Sequence, residues 1–284
     1  MSLIITDIDV ASVFSNNEDV IGIPTETVYG LAGNIYSEKA VNKIYEIKKR
    51  PLINPLIVHI KSLAYLDKVA VDVSESALKL AKTFWPGPLT LVLNKHHSVP
   101  DIVTAGKSTV AVRVPNHPVA LSLLESVNFP LAAPSANPSG SISPTSAQHV
   151  AGYFKDKIKI ILDGGVCKRG IESTIIGFNN NEAILYRLGS ISVEEIETVA
   201  GKVKMVTKNE TEPSRYTVAS LLLKPMIVDS IPLLQTPPSK IIFISFLKYP
   251  ATCSALVGLI HPKGFALGAA SGKLTDSKRD NATG

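Results

Sequence analysis

The chain has 284 residues, of which 45% are hydrophobic, enough to bury the core of one large domain or of one domain plus a smaller one. Its two cysteines exclude a disulfide framework and a four-cysteine zinc site, and they favour a reducing, cytoplasmic setting. The net charge of +5 is mild and favours anionic partners such as nucleotides or RNA. The first ten residues carry Asp7 and Asp9 rather than a basic start and a long apolar stretch, so we expect no signal peptide.

The first candidate site is a polar loop that follows a short apolar run. Residues 20–23 predict a strand, and residues 24–31 (PTETVYGL) place hydroxyls, a carboxylate and a glycine directly after it. Ligands of open α/β sheets bind beyond the carboxyl ends of strands, which makes this loop a candidate site. The alternative is a turn in which threonine and glycine serve only backbone geometry.

Helices and strands then follow one another irregularly. Apolar residues at helical spacing, the first set behind the cap residue Ser37, predict helices over 37–49, 74–85, 117–126 and 192–200. Apolar runs predict strands over 56–60, 89–93, 110–114, 130–133, 159–162, 173–178 and 183–186. This order predicts an α/β fold with a twisted mixed sheet and flanking helices, and not a regular doubly wound fold.

The character of the sequence changes after about residue 208. A polar stretch leads to interrupted apolar segments and then to an end rich in Gly, Ala, Ser and Lys. The apolar stretch 241–260 is long enough to span a membrane, but Lys248 and Pro250 lie in its middle, so we expect no membrane contact. We therefore predict a main domain over 1–207, a linker over 208–220 and a degenerate or partly disordered segment over 221–284.

Cations close the first of these predicted helices. Lys48, Lys49 and Arg50 complement the negative end of a helix dipole, which is a sufficient structural reason for them. The functional alternative is an anion clamp beside Asn54, because arginine grips phosphate oxygens through two parallel hydrogen bonds.

Two polar side chains interrupt apolar strands. His59 lies in the stretch LIVHI and Arg113 in VAVRV, so each must face a cleft or a buried partner. A satisfied core histidine is the commoner outcome for His59. A ligand carboxylate would satisfy Arg113.

Later loops are rich in hydroxyl and amide groups. Residues 133–146 (APSANPSGSISPTS) form either a surface connection or a lid over a polyphosphate. Residues 170–175 (GIESTI) repeat hydroxyls where a loop meets a strand, and Arg187 ends another strand with a cation. The chain contains no Walker A motif, so separate cations and hydroxyls would have to hold the phosphates of ATP.

In their order along the chain, these segments resemble the YrdC-like family, the threonylcarbamoyl-AMP synthases. The similarity covers roughly residues 3–205. The matching stretches are PTETVYGLAG (24–33), KKRPLINPLIVHI (48–60), FWPGPLTLVL (84–93), TVAVRVPNHP (109–118), APSANPSGSISPT (133–145), ILDGG (161–165), ESTIIGF (172–178) and YRLGSIS (186–192).

The resemblance implies a twisted sheet around a basic concave groove. It also implies synthesis of L-threonylcarbamoyl-AMP and pyrophosphate from ATP, L-threonine and bicarbonate, with Mg²⁺ accompanying the ATP. A downstream tRNA threonylcarbamoyl transferase would then modify the adenine beside the anticodon, and direct tRNA contact is a further option. Two alternatives stay open: an RNA-binding module without catalysis, and an inactive remnant of the synthase.

The same resemblance assigns site residues by position in the family motifs. It implies that Lys48 and Arg50 are catalytic, and no metal-binding side chain is identified. The implied L-threonine site consists of Thr27, His59, Arg113, Ala133 and Ser173, and the implied ATP contacts are Arg50, Asn54, Thr109, Ser135, Asn137, Ser143 and Arg187. His59 and Glu26 are candidates for a general base, although each suits a positioning role better. The resemblance stops near Thr217, at the start of the linker that longer members carry.

Overall fold

The structure, a computed structural model of the chain, describes residues 2–206. The linker predicted over 208–220, the segment predicted over 221–284 and the apolar stretch at 241–260 lie outside the described residues.

Strands of the described residues form one mixed sheet. They are β1 (Leu3–Ile5), β2 (Ile21–Ile23), β3 (Gly30–Asn34), β4 (Ile57–His59), β5 (Ala70–Val71), β6 (Leu89–Lys95), β7 (Thr109–Arg113), β8 (Leu131–Ala132), β9 (Ile160–Leu162), β10 (Thr174–Asn179), β11 (Glu182–Arg187) and β12 (Val203–Met205). Their order is β1-β9-β2-β3-β8-β4-β7-β6-β10-β11-β12, with β5 paired to β6. Parallel and antiparallel pairs alternate irregularly across the sheet, so the predicted mixed α/β fold is confirmed.

Helices cover the sheet and begin at the expected caps. They are α1 (Ile8–Asn16), α2 (Glu38–Lys48), α3 (Glu75–Phe84), α4 (Asp101–Thr104), α5 (Pro118–Ser126), α6 (Ala147–Phe154) and α7 (Val193–Ala200), and a 3-10 helix covers Leu63–Lys68. The hydroxyls of Ser37, Ser74 and Ser192 each accept a hydrogen bond from the first turn of the helix that follows. All four predicted helices are confirmed as α2, α3, α5 and α7. None of the helices in the described part of the chain is both long and apolar enough to cross a membrane.

Alternation along β7 separates a covered face of the sheet from an open one. Val110 and Val112 join the main core beneath the helices, whereas Ala111 packs with Val92 and Ile175 on the opposite face. Thr109 and Arg113 share the face of Ala111 because side chains alternate along a strand. The open face thus has an apolar centre with polar residues at either end of β7.

Pairing brings several strand ends together at the Arg113 end of this face. In the parallel pair of β4 and β7, His59 lies opposite Arg113. The antiparallel neighbour β6 starts there, as does β10, which runs parallel to β6. The polar ends of four strands therefore meet at one place, together with the loop that follows β2.

Candidate functional site

The loop of residues 24–29 lies between two other polar loops and is hydrogen-bonded to both. On one side, the amide of Tyr29 donates to the Pro144 carbonyl at 2.8 Å, and its own carbonyl accepts from Ala136 at 2.7 Å. On the other side, the amides of Arg169 and Gly170 donate to the carbonyls of Glu26 and Thr27, both at 3.0 Å. Segments 24–31, 133–146 and 163–172 therefore form one connected structure.

Within this loop, the Thr25 side chain stabilises the turn, whereas the Thr27 side chain contacts Arg113. The Thr25 hydroxyl donates to the Val28 carbonyl at 2.6 Å and accepts from the amides of Thr27 and Val28. The Thr27 hydroxyl lies 2.9 Å from that of Thr25 and accepts a hydrogen bond from Nη1 of Arg113 at 3.0 Å. The turn interpretation of PTETVYGL therefore holds for Thr25, and the site interpretation stays a prediction for Thr27.

Arg113 is buried and paired with Glu26. Its Nη2 lies 2.7 Å from Oε1 of Glu26, and the exposed fractions of the two side chains are 5% and 8%. The second carboxylate oxygen accepts from the amide of Asn116 at 3.0 Å, and Nε of Arg113 donates to the Gly87 carbonyl at 3.1 Å. The hydrogen bonds of Nε and Nη1 use two of the five guanidinium N–H groups, and Nη2 contacts Glu26 as an ion pair without hydrogen-bond geometry, so Nη1 and Nη2 keep further donors. Glu26 is committed to this pair, so its position argues against the general-base role considered for it.

His59 lies beside Arg113 and is almost completely buried. Burial and the nearby Arg113 charge lower the pKa of His59 well below its ordinary value, so the imidazole is neutral at pH 7. Among the described residues, Nδ1 of His59 has no hydrogen-bond partner. A neutral ring of such low basicity suits orientation of a ligand better than removal of a proton.

On the opposite wall, Arg187 is held by the start of β10. Its Nε and Nη2 donate to the Ser173 carbonyl at 3.1 and 2.9 Å, and Nη2 also donates to the Ser173 hydroxyl at 3.1 Å. Its Nη1 donates to the Glu172 carboxylate at 2.7 Å, which also accepts from the Ser143 hydroxyl at 3.0 Å. This wall therefore carries a fixed cation beside a carboxylate.

At the end of α2, the two cations implied as catalytic, Lys48 and Arg50, contact different partners. Lys49 adopts a left-handed conformation with φ of 51° and turns the chain, and Arg50 then donates to the carbonyls of Asn54 and Pro55. Lys48 points the other way: its ammonium donates to the Ser135 carbonyl and, at 2.6 Å, to that of Asn137. Burial, followed by the Arg50 charge, lowers the pKa of Lys48 to about 7.

These residues line a cleft of about 640 Å³, a volume that includes space open to solvent. The cleft is lined by eight of the residues that the motifs imply, together with Glu172, Thr25 and several apolar groups. The eight are Thr27, Arg50, His59, Arg113, Ala133, Ser135, Ser173 and Arg187. Every residue of the implied threonine site is thus on one cleft wall or another.

Five of the implied residues lie outside the lining of this cleft. Lys48 contacts the backbone of the 135–137 loop, and Asn137 in turn bonds the carbonyls of Pro138 and Ser141. Asn54 supplies a carbonyl to Arg50, and Ser143 reaches the cleft only through Glu172. Thr109 lines a second cavity on the same sheet face with Asn94 and Tyr186, beyond the apolar centre.

The sequence did not single out Glu172, and it indicated Glu26 as a general-base candidate and not as the partner of Arg113. Glu172 stood in the motif ESTI, where the hydroxyls drew the attention. The available signal was the position of this carboxylate, directly before a predicted strand. In the structure it contacts Ser143 and Arg187, two of the residues implied to bind ATP. Within residues 2–206, no group of three or more His, Cys, Asp and Glu side chains is arranged to hold a metal ion.

Comparison with known families and proteins confirms the family to which the motifs pointed. The profile of the Sua5/YciO/YrdC family, described as "Telomere recombination", matches residues 14–189. A threonylcarbamoyl-AMP synthase of Pyrococcus abyssi is 50% identical over 198 residues, which are 70% of this chain and 58% of that protein. One of Bacillus subtilis is 46% identical over 194 residues, which are 68% of this chain and 56% of that protein. The chain thus spans little more than half the length of these curated relatives.

Solved structures show the same fold. The crystal structure of P. abyssi Sua5 complexed with L-threonine matches with a TM-score of 0.70 and 46% identity, covering 72% of this chain and 62% of that one. Escherichia coli YciO matches with a TM-score of 0.63 and 24% identity, covering 69% of this chain and all of that one, which supports the fold alone.

Proposed function

This chain belongs to the Sua5/YciO/YrdC family, as its motifs predicted, and we propose that it converts ATP, L-threonine and bicarbonate into L-threonylcarbamoyl-AMP and pyrophosphate. The observation that carries the proposal is the composition of one cleft. Its lining contains all five residues implied for threonine and, near them, the two arginines Arg50 and Arg187. Relatives at 50% and 46% identity carry the name of this synthase.

We assign the amino-acid end of the cleft to Arg113 and its neighbours. The donors that Arg113 keeps on Nη1 and Nη2 suit a carboxylate, which accepts two parallel N–H bonds from a guanidinium. Neutral His59 and the Ser173 hydroxyl offer hydrogen bonds for the remaining polar groups of threonine. The P. abyssi structure, solved with L-threonine, is the basis for placing the same ligand here.

We assign the nucleotide to the cations and to the apolar centre of the sheet face. Arg50 and Arg187 would neutralise the phosphates, with the Ser135 segment beside them. A nucleoside extending over Val92 and Ala111 would reach Thr109 in the second cavity. That geometry gives Thr109 its implied ATP contact without requiring it in the first cleft.

The chemistry then needs alignment more than a strong base. The threonine amine combines with bicarbonate, with loss of water, to give N-carboxythreonine. A carboxylate oxygen of this carbamate attacks the α-phosphorus, the bond to the bridging oxygen breaks, and pyrophosphate leaves. Fixed cations stabilise the charge that develops on the leaving group, and holding the reactants in line supplies further acceleration.

We assign Lys48 a supporting role in this reaction. Its ammonium holds the carbonyls of Ser135 and Asn137, so it orders the loop that carries Ser135 to the cleft. The Ser139 amide completes the attachment by donating to the Lys48 carbonyl at 2.8 Å. Arg50 is then the member of the implied catalytic pair that contacts ATP.

The cofactor and partners follow from the reaction. The described residues offer no cage for Mg²⁺, so we expect the ion to enter as MgATP, coordinated mainly by the phosphates and water. The activated product requires an acceptor, and we propose a tRNA threonylcarbamoyl transferase for that step. Direct contact with tRNA stays an option. We place the reaction in the cytoplasm, in keeping with the two cysteines of the chain.

Release of pyrophosphate from ATP tests the proposal. We expect release by the full chain only when threonine and bicarbonate are both present. Arg50→Ala should reduce turnover at least about a hundredfold, the loss typical for one preorganised charge-stabilising donor. Release without threonine, or near-normal turnover of Arg50→Ala, would contradict the proposal. An RNA-binding module would release none.

A further inference from the structure

The carboxylate of Glu172 lies at a position in the cleft that would also suit a phosphate group. Its Oε1 accepts from the Ser143 hydroxyl at 3.0 Å, and its Oε2 accepts from Nη1 of Arg187 at 2.7 Å. Both donors belong to residues implied to contact ATP. The carboxylate therefore takes the hydrogen bonds that a phosphate oxygen would need.

The surroundings of Glu172 are cationic. Among the described residues that line the cleft, it is the one carboxylate, and Arg50, Arg113 and Arg187 line the same cleft. Arg113 already has Glu26 as its anion. Glu172 is consequently the protein carboxylate that balances the cations at the proposed nucleotide end of the cleft.

The side chain of Glu172 can leave while its backbone stays. The carbonyl of Glu172 accepts from the Ser190 amide at 3.0 Å, and Gly189 packs so closely on it that a Cβ there would lie 2.3 Å from this oxygen. By contrast, 34% of the Glu172 side chain is exposed, against 8% for Glu26. Rotation of the side chain would release the Ser143 hydroxyl and Nη1 of Arg187 from Glu172, while the bonds of Arg187 to Ser173 stay in place.

We propose that Glu172 is a placeholder for a phosphate of the nucleotide: it holds Arg187 and Ser143 in the empty cleft, and the polyphosphate displaces its carboxylate from them. The inference rests on the proposed function for the identity of the ligand. Two consequences follow. The apparent affinity for polyphosphate is reduced by the fraction of molecules in which the contact is closed. The return of Glu172 to its donors also assists the departure of pyrophosphate.

Calorimetric titration of the full chain with MgATP and, separately, with magnesium pyrophosphate tests the inference. We compare the wild type with Glu172→Gln, which keeps the size of the side chain and removes its charge. Glu75→Gln is the matched control, because Glu75 on α3 forms an exposed pair with Lys79 at 2.8 Å and its substitution changes the net charge equally. Glu172→Ala guards against an effect of the new amide, and a thermal melt of each variant reports folding.

The expected result is a fall in Kd for both ligands in Glu172→Gln and Glu172→Ala, on the order of tenfold if the contact is closed in nine molecules of ten. Glu75→Gln should match the wild type. Equal or weaker binding by the folded Glu172 variants overturns the inference while leaving the proposed function in place. A wild-type chain that binds neither ligand overturns both.

Discussion

At the residue scale, the buried ion pair of Glu26 and Arg113 fixes the position of the guanidinium in the cleft. Removing one member of such a pair leaves a buried charge without its partner, which costs about 3–5 kcal/mol. We expect Glu26→Ala to lower the free energy of unfolding by that amount in urea titrations. Glu18→Ala, which removes an exposed partner of Lys39, should change it by less than about 0.5 kcal/mol.

The milder variant Glu26→Gln separates positioning from folding. The amide keeps the size of the side chain but holds the guanidinium less firmly, so the donors left for a carboxylate lose their fixed direction. We expect the KM for threonine to rise several times more than the KM for MgATP in steady-state assays. Equal changes in both constants would indicate a general loss of structure and contradict a positioning role.

Lys48 predicts a dependence of stability on pH. Its pKa of about 7 in the folded chain lies below the ordinary value of 10.5, so between these limits the unfolded chain binds more protons than the folded chain. Stability contributed at this position should therefore rise with pH from about 7 to 10. We expect the difference in melting temperature, wild type minus Lys48→Met, to increase over this pH range. A constant difference would mean that Lys48 stays charged in the fold.

Individual residues show which features of the cleft could be predicted from the sequence. The motifs implied thirteen site residues, of which eight line the cleft and five do not. They did not predict that Arg113 pairs with Glu26, that Arg187 pairs with Glu172, or that Lys48 binds backbone carbonyls. Those partners come from loops that are distant in sequence, and only the fold decides which of them meet.

At the element scale, the close approach of two loop segments makes Gly189 indispensable. A Cβ at this position would lie 2.3 Å from the Glu172 carbonyl and 2.5 Å from the backbone of Ser173, which have little room to move. We expect Gly189→Ala to destabilise the fold by about 1–3 kcal/mol and to raise the KM for threonine and for MgATP together. Both follow from displacement of the wall that carries Ser173 and Arg187.

The control for that variant is Gly152→Ala in α6. A Cβ at Gly152 would meet nothing within 4 Å, and alanine favours a helix by roughly 0.5–1 kcal/mol over glycine. We expect this variant to melt at or above the wild-type temperature with unchanged kinetics. Loss of stability in Gly152→Ala, or its absence in Gly189→Ala, would contradict the packing described.

Elements differed in how well the sequence predicted them. Helices behind a serine cap were predictable from the cap and the spacing of apolar residues. Helices α1 and α6 were not predicted, although Asp7 and Ser146 cap them; for α6, the loop predicted over 133–146 included the cap. Strands β1, β5 and β12 have two or three residues and exist through pairing with a neighbour, which no local pattern encodes.

At the scale of the whole molecule, the hydrophobic core of residues 2–206 is built from helices and strands of that same part of the chain. The clusters on both sheet faces draw on strands and helices from α1 to β12. We propose residues 1–207 as the catalytic domain and expect this fragment to unfold in one cooperative transition by circular dichroism, near the melting temperature of the full chain. A gradual loss of signal would contradict this domain boundary.

Incorporation of labelled bicarbonate tests the central claim most directly, because it follows the carbon that the cleft is proposed to transfer. The full chain is incubated with MgATP, L-threonine and ¹³C-bicarbonate, and the nucleotide products are analysed by mass spectrometry. We predict an adenylate whose carbamoyl carbon carries the label, formed in equal amount with pyrophosphate and lost in Arg113→Ala. Consumption of ATP without a labelled threonylcarbamoyl adenylate would contradict the account.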